Sequence, residues 1–220
     1  MDAIEIETGP NPAATVIWLH GLGADGHDFE PIVPELRLTM PVRFVFPNAP
    51  IRPVTINQGM RMRAWYDIFQ FGGGPEDDAG IRASQKLVDD LIAAEKGKQI
   101  VLAGFSQGGA IVLQTALRHP ERLAGVLALS TYLPLSMTVE TERHKSNHDV
   151  PVFMAHGKFD DIIPIDRARQ SKDMLEKLGY PVTWKEYPMP HSVCAEEIRD
   201  LSDFLVRVLG PAVKPLSPAP

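Results

Sequence analysis

"AGFSQGGA", residues 103–110, follows the apolar run QIVL (99–102) and opens a segment with helical spacing. Within it, Gly104, Phe105, Ser106, Gln107 and Gly108 spell G-x-S-x-G. Such a pattern arises by chance in many chains, but a buried strand before it and an amphipathic helix after it make it specific. A serine in that context sits on a sharp strand-to-helix turn, strained in its backbone and exposed at its hydroxyl. Residues two before and two after it come too close to neighbouring backbone to carry a side chain, hence glycine at 104 and 108, with Gly109 giving extra room. The helix start beneath Ser106 also favours negative charge.

Working outward, short apolar runs alternate with helical patterns. AATVIWL, VRFVFP, QIVLAGF, AGVLALS, PVFMAHG and VTWKEYP read as strands near residues 13–19, 42–47, 99–105, 124–130, 151–157 and 182–188. Residues 79–96, 107–118, 165–178 and 193–209 read as helices with one apolar face. This alternation predicts an α/β fold with a mostly parallel central sheet and helices on both faces. Residues 48–78 and 131–149 are long and weakly patterned, which compact domains usually keep for function. The expectation is one domain over 1–210 and a flexible Pro-rich tail over 211–220.

A serine hydroxyl needs a base, and the base needs an acid to orient it. In an α/β-hydrolase the chain order is serine, acid, histidine. HGKFDDIIP offers Asp160 and Asp161 behind one strand, and MPHS offers His191 behind the last. Both loops follow the C-terminal ends of strands, where open parallel sheets place their sites. No histidine other than His191 lies beyond His156, so the order rule selects it. The residues alone leave Asp160 and Asp161 in competition. His20 and His156, each before a glycine at a strand end, read as structural groups bonded to loop backbone.

LHGLGADG (19–26) carries Gly21, Gly23 and Gly26 as G-x-G-x-x-G, the form of a dinucleotide site. Such a site wants an acid at the end of the second strand, but VRFVFPNAP has none, and Asn48 sits near its end. Pro31 and Pro34 also interrupt the helix that should meet a pyrophosphate. The loop fits an oxyanion hole instead, with the amides of Leu22 and Gln107 as donors.

Composition sets outer bounds. The chain has 220 residues, 44% apolar and 23% charged, and a net charge of −6. That balance argues against nucleic acid as a partner, since phosphate binding needs clustered Lys and Arg. Cys194 is the sole cysteine, so no internal disulfide forms. No metal spacing such as H-E-x-x-H occurs. The start, MDAIEIETGP, lacks a signal-peptide pattern, and no run approaches 18 apolar residues. A cytoplasmic protein without membrane insertion is the expectation.

Taken together, LHGLGADGHDF, FPNAP, RAWYDI, GFSQGGA, HGKFDDIIP and YPMPH resemble the carboxylesterase and acyl-protein thioesterase (phospholipase/carboxylesterase) family of α/β-hydrolases, from about residue 13 to 209. The resemblance implies Ser106 as nucleophile, Asp160 as acid, His191 as base, and Leu22 and Gln107 as oxyanion-hole positions. It implies no large lid domain, no cofactor, an ester or acyl-thioester substrate, and a homodimer. It also implies a pocket wall at Trp65, whose bland alternative, shared with Tyr66, is a core aromatic. After RAWYDI the chain reads FQFGGGPEDDAG (69–80), where three glycines leave the backbone free. Phe69 and Phe71 there either face an acyl chain or anchor the loop.

Overall fold

The computed structural model describes residues 1–70, 73–95 and 97–210. Its nine strands are β1 (Ala3–Glu7), β2 (Ala14–Leu19), β3 (Val42–Pro47), β4 (Ile51–Val54), β5 (Met60–Arg63), β6 (Gln99–Phe105), β7 (Gly125–Leu129), β8 (Val152–Gly157) and β9 (Val182–Tyr187). Its five α-helices are α1 (Asp78–Ala94), α2 (Gln107–Arg118), α3 (Val139–Glu142), α4 (Ile165–Lys177) and α5 (Ala195–Leu209). The tail expected to be flexible, 211–220, lies outside the described residues.

Seven strands form one sheet in the order β1-β3-β2-β6-β7-β8-β9. Only β1 runs antiparallel, pairing Ala3 with Pro47 through Glu7 with Arg43. The sequence reading misses β1 because AIEIE is short and half acidic, so it lacks a buried apolar run. The other miss is the hairpin β4–β5, inside the weakly patterned stretch after β3. MRMR and IRPV carry no alternation that reads as strand.

Alternation within the central strands divides the interior in two. Ile17 and Leu19 of β2, with Ile100 and Leu102 of β6, face a core that takes Ile81 and Val88 of α1, Leu175 of α4 and most of α2. Val16 and Trp18, with Val101 and Ala103, face the other core, filled by Leu201, Phe204 and Leu205 of α5 and by Ile32 and Val33. Those last two lie in a 3-10 helix, Glu30–Glu35, with Pro34 inside it. The tight geometry is where the prolines lead, since Pro34 cannot donate to an α-helical ladder. Helix α2 is buried from Gln107 to Leu117, the position of a helix pinned between the sheet and α1.

Candidate functional site

Ser106 forms the turn between β6 and α2 with φ 54° and ψ −119°. Neighbouring backbone fixes this strained conformation: Ser106 N donates to Leu129 O (2.9 Å), and its carbonyl accepts from Thr131 Oγ1 (2.7 Å). A Cβ on Gly104 would lie 2.5 Å from Gly108 backbone, and one on Gly108 would lie 2.4 Å from Leu19 O. Both glycines are therefore demanded by close approach, and Gly108 packs directly against the start of the 19–26 loop.

That loop is held open by its own contacts. Gly23 has φ 77° and donates to Arg63 O of β5 (2.9 Å). Gly26 donates to Asn48 Oδ1 (2.9 Å), and a Cβ there would lie 2.6 Å from Phe46 O. Asn48, the residue in place of a ribose-binding acid, thus ties the loop to the end of β3. His20 donates from Nδ1 to Gly21 O (2.7 Å) and accepts at Nε2 from Ala49 N (3.0 Å). Burial lowers its proton affinity, which keeps that donor–acceptor arrangement neutral. Among the hydrogen bonds of the described residues, the amides of Leu22 and Gln107 have no protein acceptor. Both residues line the cavity at Ser106.

The loops after β8 and β9 are laced together. Lys158 N donates to Tyr187 O (2.8 Å) and Phe159 N to Met189 O (3.1 Å). A Cβ on Gly157 would lie 2.3 Å from Pro190 O, so the two loops meet at backbone contact. Asp160 and His191 are brought to 2.7 Å through this lacing, with His191 Nδ1 donating to Asp160 Oδ2. Oδ1 of Asp160 accepts from the amides of Ile162 (3.0 Å) and Ile163 (2.8 Å). His156 donates from Nε2 to Ile163 O (2.8 Å) and stands 3.2 Å from Asp160 Oδ2. Burial alone would raise the Asp160 pKa. The bonds from His156, His191 and the Ile163 amide outweigh burial and hold the carboxyl well below the usual carboxylate range. Asp161 is exposed and has no part in this cluster.

Ser106, Gln107, Leu22 and His191 share a cavity of about 270 Å3 whose walls include Phe105, Tyr66, Ile68, Tyr132 and Ile163. Phe105 packs against His191 with ring centroids 4.7 Å apart. A larger concavity of about 840 Å3 beside the 3-10 helix Glu30–Glu35 contains no histidine and no serine. Ser106 and His191 line the smaller one.

The expected pocket residues fare differently. Trp65 is fully buried behind the cavity rather than in its wall. Its indole N–H finds a partner in His20 O (2.9 Å), and satisfying that buried donor turns the ring into the core. Tyr66 and Ile68 take the wall instead. Phe69 is 43% exposed and stands outside the cavity at Ser106. Phe71 lies outside the described residues.

Two features escape the sequence reading. The side chain of Gln107 accepts from Trp65 N (2.7 Å) and donates to Tyr66 O (2.7 Å), so it clamps the pocket-wall segment while its own amide stays free. No spacing signal marks a glutamine for this, because its partners lie 41 and 42 residues away. Tyr132, three residues beyond β7, hydrogen-bonds Tyr66 hydroxyl to hydroxyl (2.7 Å) and lines the cavity. Its place behind a strand's C-terminal end is the signal that could have marked it.

A parallel sheet with a strained serine between strand and helix, and with acid and histidine on later strand-end loops, defines the α/β-hydrolases. The chain belongs to the phospholipase/carboxylesterase family, whose model matches residues 1–209. It is similar to acyl-protein thioesterase 1 of Gibberella zeae, 41% identical over 90% of this chain and 92% of that one. Acyl-protein thioesterase 1 of Mycosarcoma maydis is 40% identical over 94% and 95%. Among solved structures, acyl-protein thioesterase 2 of Zea mays superposes with a TM-score of 0.84 at 28% identity, covering 94% of this chain and 99% of that one. The protein is a hydrolase of the carboxylesterase kind. No helix among the described residues is long and apolar enough to cross a membrane.

Proposed function

We propose that the protein hydrolyses short- to medium-chain carboxylic esters and acyl thioesters through an acyl-enzyme on Ser106. The observation that carries this reading is the 2.7 Å bond from His191 Nδ1 to Asp160, made by a histidine that lines the same cavity as Ser106. That bond fixes the tautomer in which His191 Nε2 is free to take a proton. Ser106 Oγ attacks the acyl carbon as its proton passes to Nε2. The oxyanion is received by the amides of Leu22 and Gln107, each a donor of the kind worth roughly 3 kcal/mol of barrier. Protonated His191, stabilised by Asp160, then gives its proton to the departing alcohol or thiol. Water attacks the acyl-enzyme by the same route and releases the acid.

The acyl group fits the wall of Tyr66, Ile68 and Ile163. At about 30 Å3 per non-hydrogen atom, a cavity of 270 Å3 holds a chain of roughly eight carbons with its carbonyl. A thioester on a protein is the second reading, favoured by the names of the relatives at 40 and 41% identity. A homodimer and a cytoplasmic location belong to the same proposal; a sedimentation mass of one chain would remove the first.

Replacing Ser106 by Ala should end turnover of p-nitrophenyl acyl esters and abolish labelling by an alkyl fluorophosphonate. Labelling that persists at another residue would overturn the assignment. Asp160→Asn should lower kcat by about 10³ to 10⁴-fold, with Asp161→Asn near wild type; the reverse order would exchange their roles. Parallel assays on an acyl thioester and its oxygen ester separate the two substrate classes.

A further inference from the structure

The lining of the cavity at Ser106 includes a charged group, Arg167, that the proposed reaction does not use. Arg167, on the first turn of α4, lays its guanidinium 3.3 Å from the ring centroid of Tyr132. Glu76 Oε1 stands 3.6 Å from its Nη2, and the other Glu76 oxygen accepts from Leu135 N (2.9 Å). Tyr132 is fixed in turn by its hydroxyl contact with Tyr66 (2.7 Å). The guanidinium is thus held on a ring face on one side and on a carboxylate on the other.

Behind this group the space continues. A narrow gap of about 20 Å3 lies between the segment around Tyr66–Gln70 and Gly73–Glu76 on one side and Tyr132 and Arg167 on the other. Next to it is a second, mostly polar cavity of about 290 Å3, bordered by Glu76, Leu133, Ser136, Gln170, Ser171 and Met174. Among the described residues, Arg167 is the one that lines all three spaces.

We infer that Arg167 is a specificity-determining stop, which partitions a longer channel and limits the acyl chain to the segment next to Ser106. The inference rests on the reading of the 270 Å3 cavity as the acyl pocket. A longer chain must either lift Arg167 from Tyr132 and Glu76 or turn back to solvent. With the arginine side chain removed, the two larger spaces join, and about nine more chain atoms find room at about 30 Å3 each.

The test is the ratio of kcat/KM for p-nitrophenyl hexadecanoate to that for the butanoate. Arg167→Ala should raise this ratio by about tenfold or more, and adding Gln170→Trp, which refills the far cavity, should return it towards wild type. An unchanged ratio in folded Arg167→Ala protein overturns the inference. Should that variant fail to fold, Arg167→Met keeps the stem, loses the charged end, and is judged by the same ratio. Binding of octanoate and hexadecanoate by calorimetry, in a Ser106→Ala background with and without Arg167→Ala, reads the stop without turnover. Gain of hexadecanoate binding on removing Arg167 supports it; equal binding of both acids by both proteins overturns it. If wild type hydrolyses no ester yet the calorimetric shift occurs, the stop stands and the proposed reaction falls.

Discussion

Gly108 shows how tightly single residues are bound to the site. Its missing side chain leaves room for the carbonyls of Leu19 and His20, which a Cβ would meet at 2.4 and 2.6 Å. Both are backbone atoms at the root of the 19–26 loop, so neither moves without shifting Leu22. Gly108→Ala should cost about 3 kcal/mol or more of stability, at the upper end of overpacking effects, measured by urea denaturation. Ester hydrolysis should fall about 100-fold or more, as expected when an oxyanion donor is displaced. Full activity would mean that the loop adapts. Gln107 adds a second constraint in one residue: its amide faces the cavity while its side chain holds Trp65 and Tyr66.

Among the elements, α5 carries an unusual charge. Glu197, in its first turn, is fully buried, and neither carboxylate oxygen has a partner of good hydrogen-bond geometry. Burial dominates, the Cys194 amide opposes it and nearby Asp200 adds to it, so the pKa rises from 4.5 to about 8. A carboxyl with a raised folded pKa contributes its stability fully below the unfolded value and loses it as pH rises through the folded one. The window here runs from 4.5 to about 8. Glu197→Gln keeps the neutral shape and removes the titration. Its melting temperature should match wild type near pH 5 and exceed it at pH 9 by several degrees, on the scale of about 2–4 °C per kcal/mol. Equal melting at both pH values would place the proton elsewhere.

Across the whole molecule, Glu142 of α3 joins elements far apart in the chain. It binds Arg82 of α1 (2.8 Å) and Arg118 of α2 (2.7 Å), and accepts from Thr138 Oγ1 (2.8 Å). These bonds, Arg82 first, carry its pKa from 4.5 down to about 2. A lowered carboxylate contributes stability above its unfolded pKa and loses it as pH falls through the folded value, here from 4.5 to about 2. Glu142→Gln should melt lower than wild type at pH 7, on the order of 5 °C, with the gap closing towards pH 2. A gap that persists at pH 2 would assign the loss to packing and not to charge.

The α/β class, the order of the central strands' chemistry and the serine turn were legible because each rests on local pattern. QIVLAGF must bury both faces, GFSQGGA must turn sharply, and the acid and histidine must follow later strands. The chain also excluded a dinucleotide site by itself, through Asn48 and the two prolines. Other features needed the folded molecule. Strand β1 is recognisable only beside β3, since its pairing partner supplies the reason for AIEIE to be extended. That His191 meets Asp160 and not Asp161 follows from backbone lacing of two loops, which no spacing encodes. Trp65 and Tyr66 are adjacent aromatics with equal local claims on the pocket, and a buried indole N–H that had to meet His20 O sent one inward and left the other on the wall. Local sequence determines which backbone shapes are affordable. Which side chains then share a cavity depends on contacts between segments tens of residues apart, and only their packing decides it.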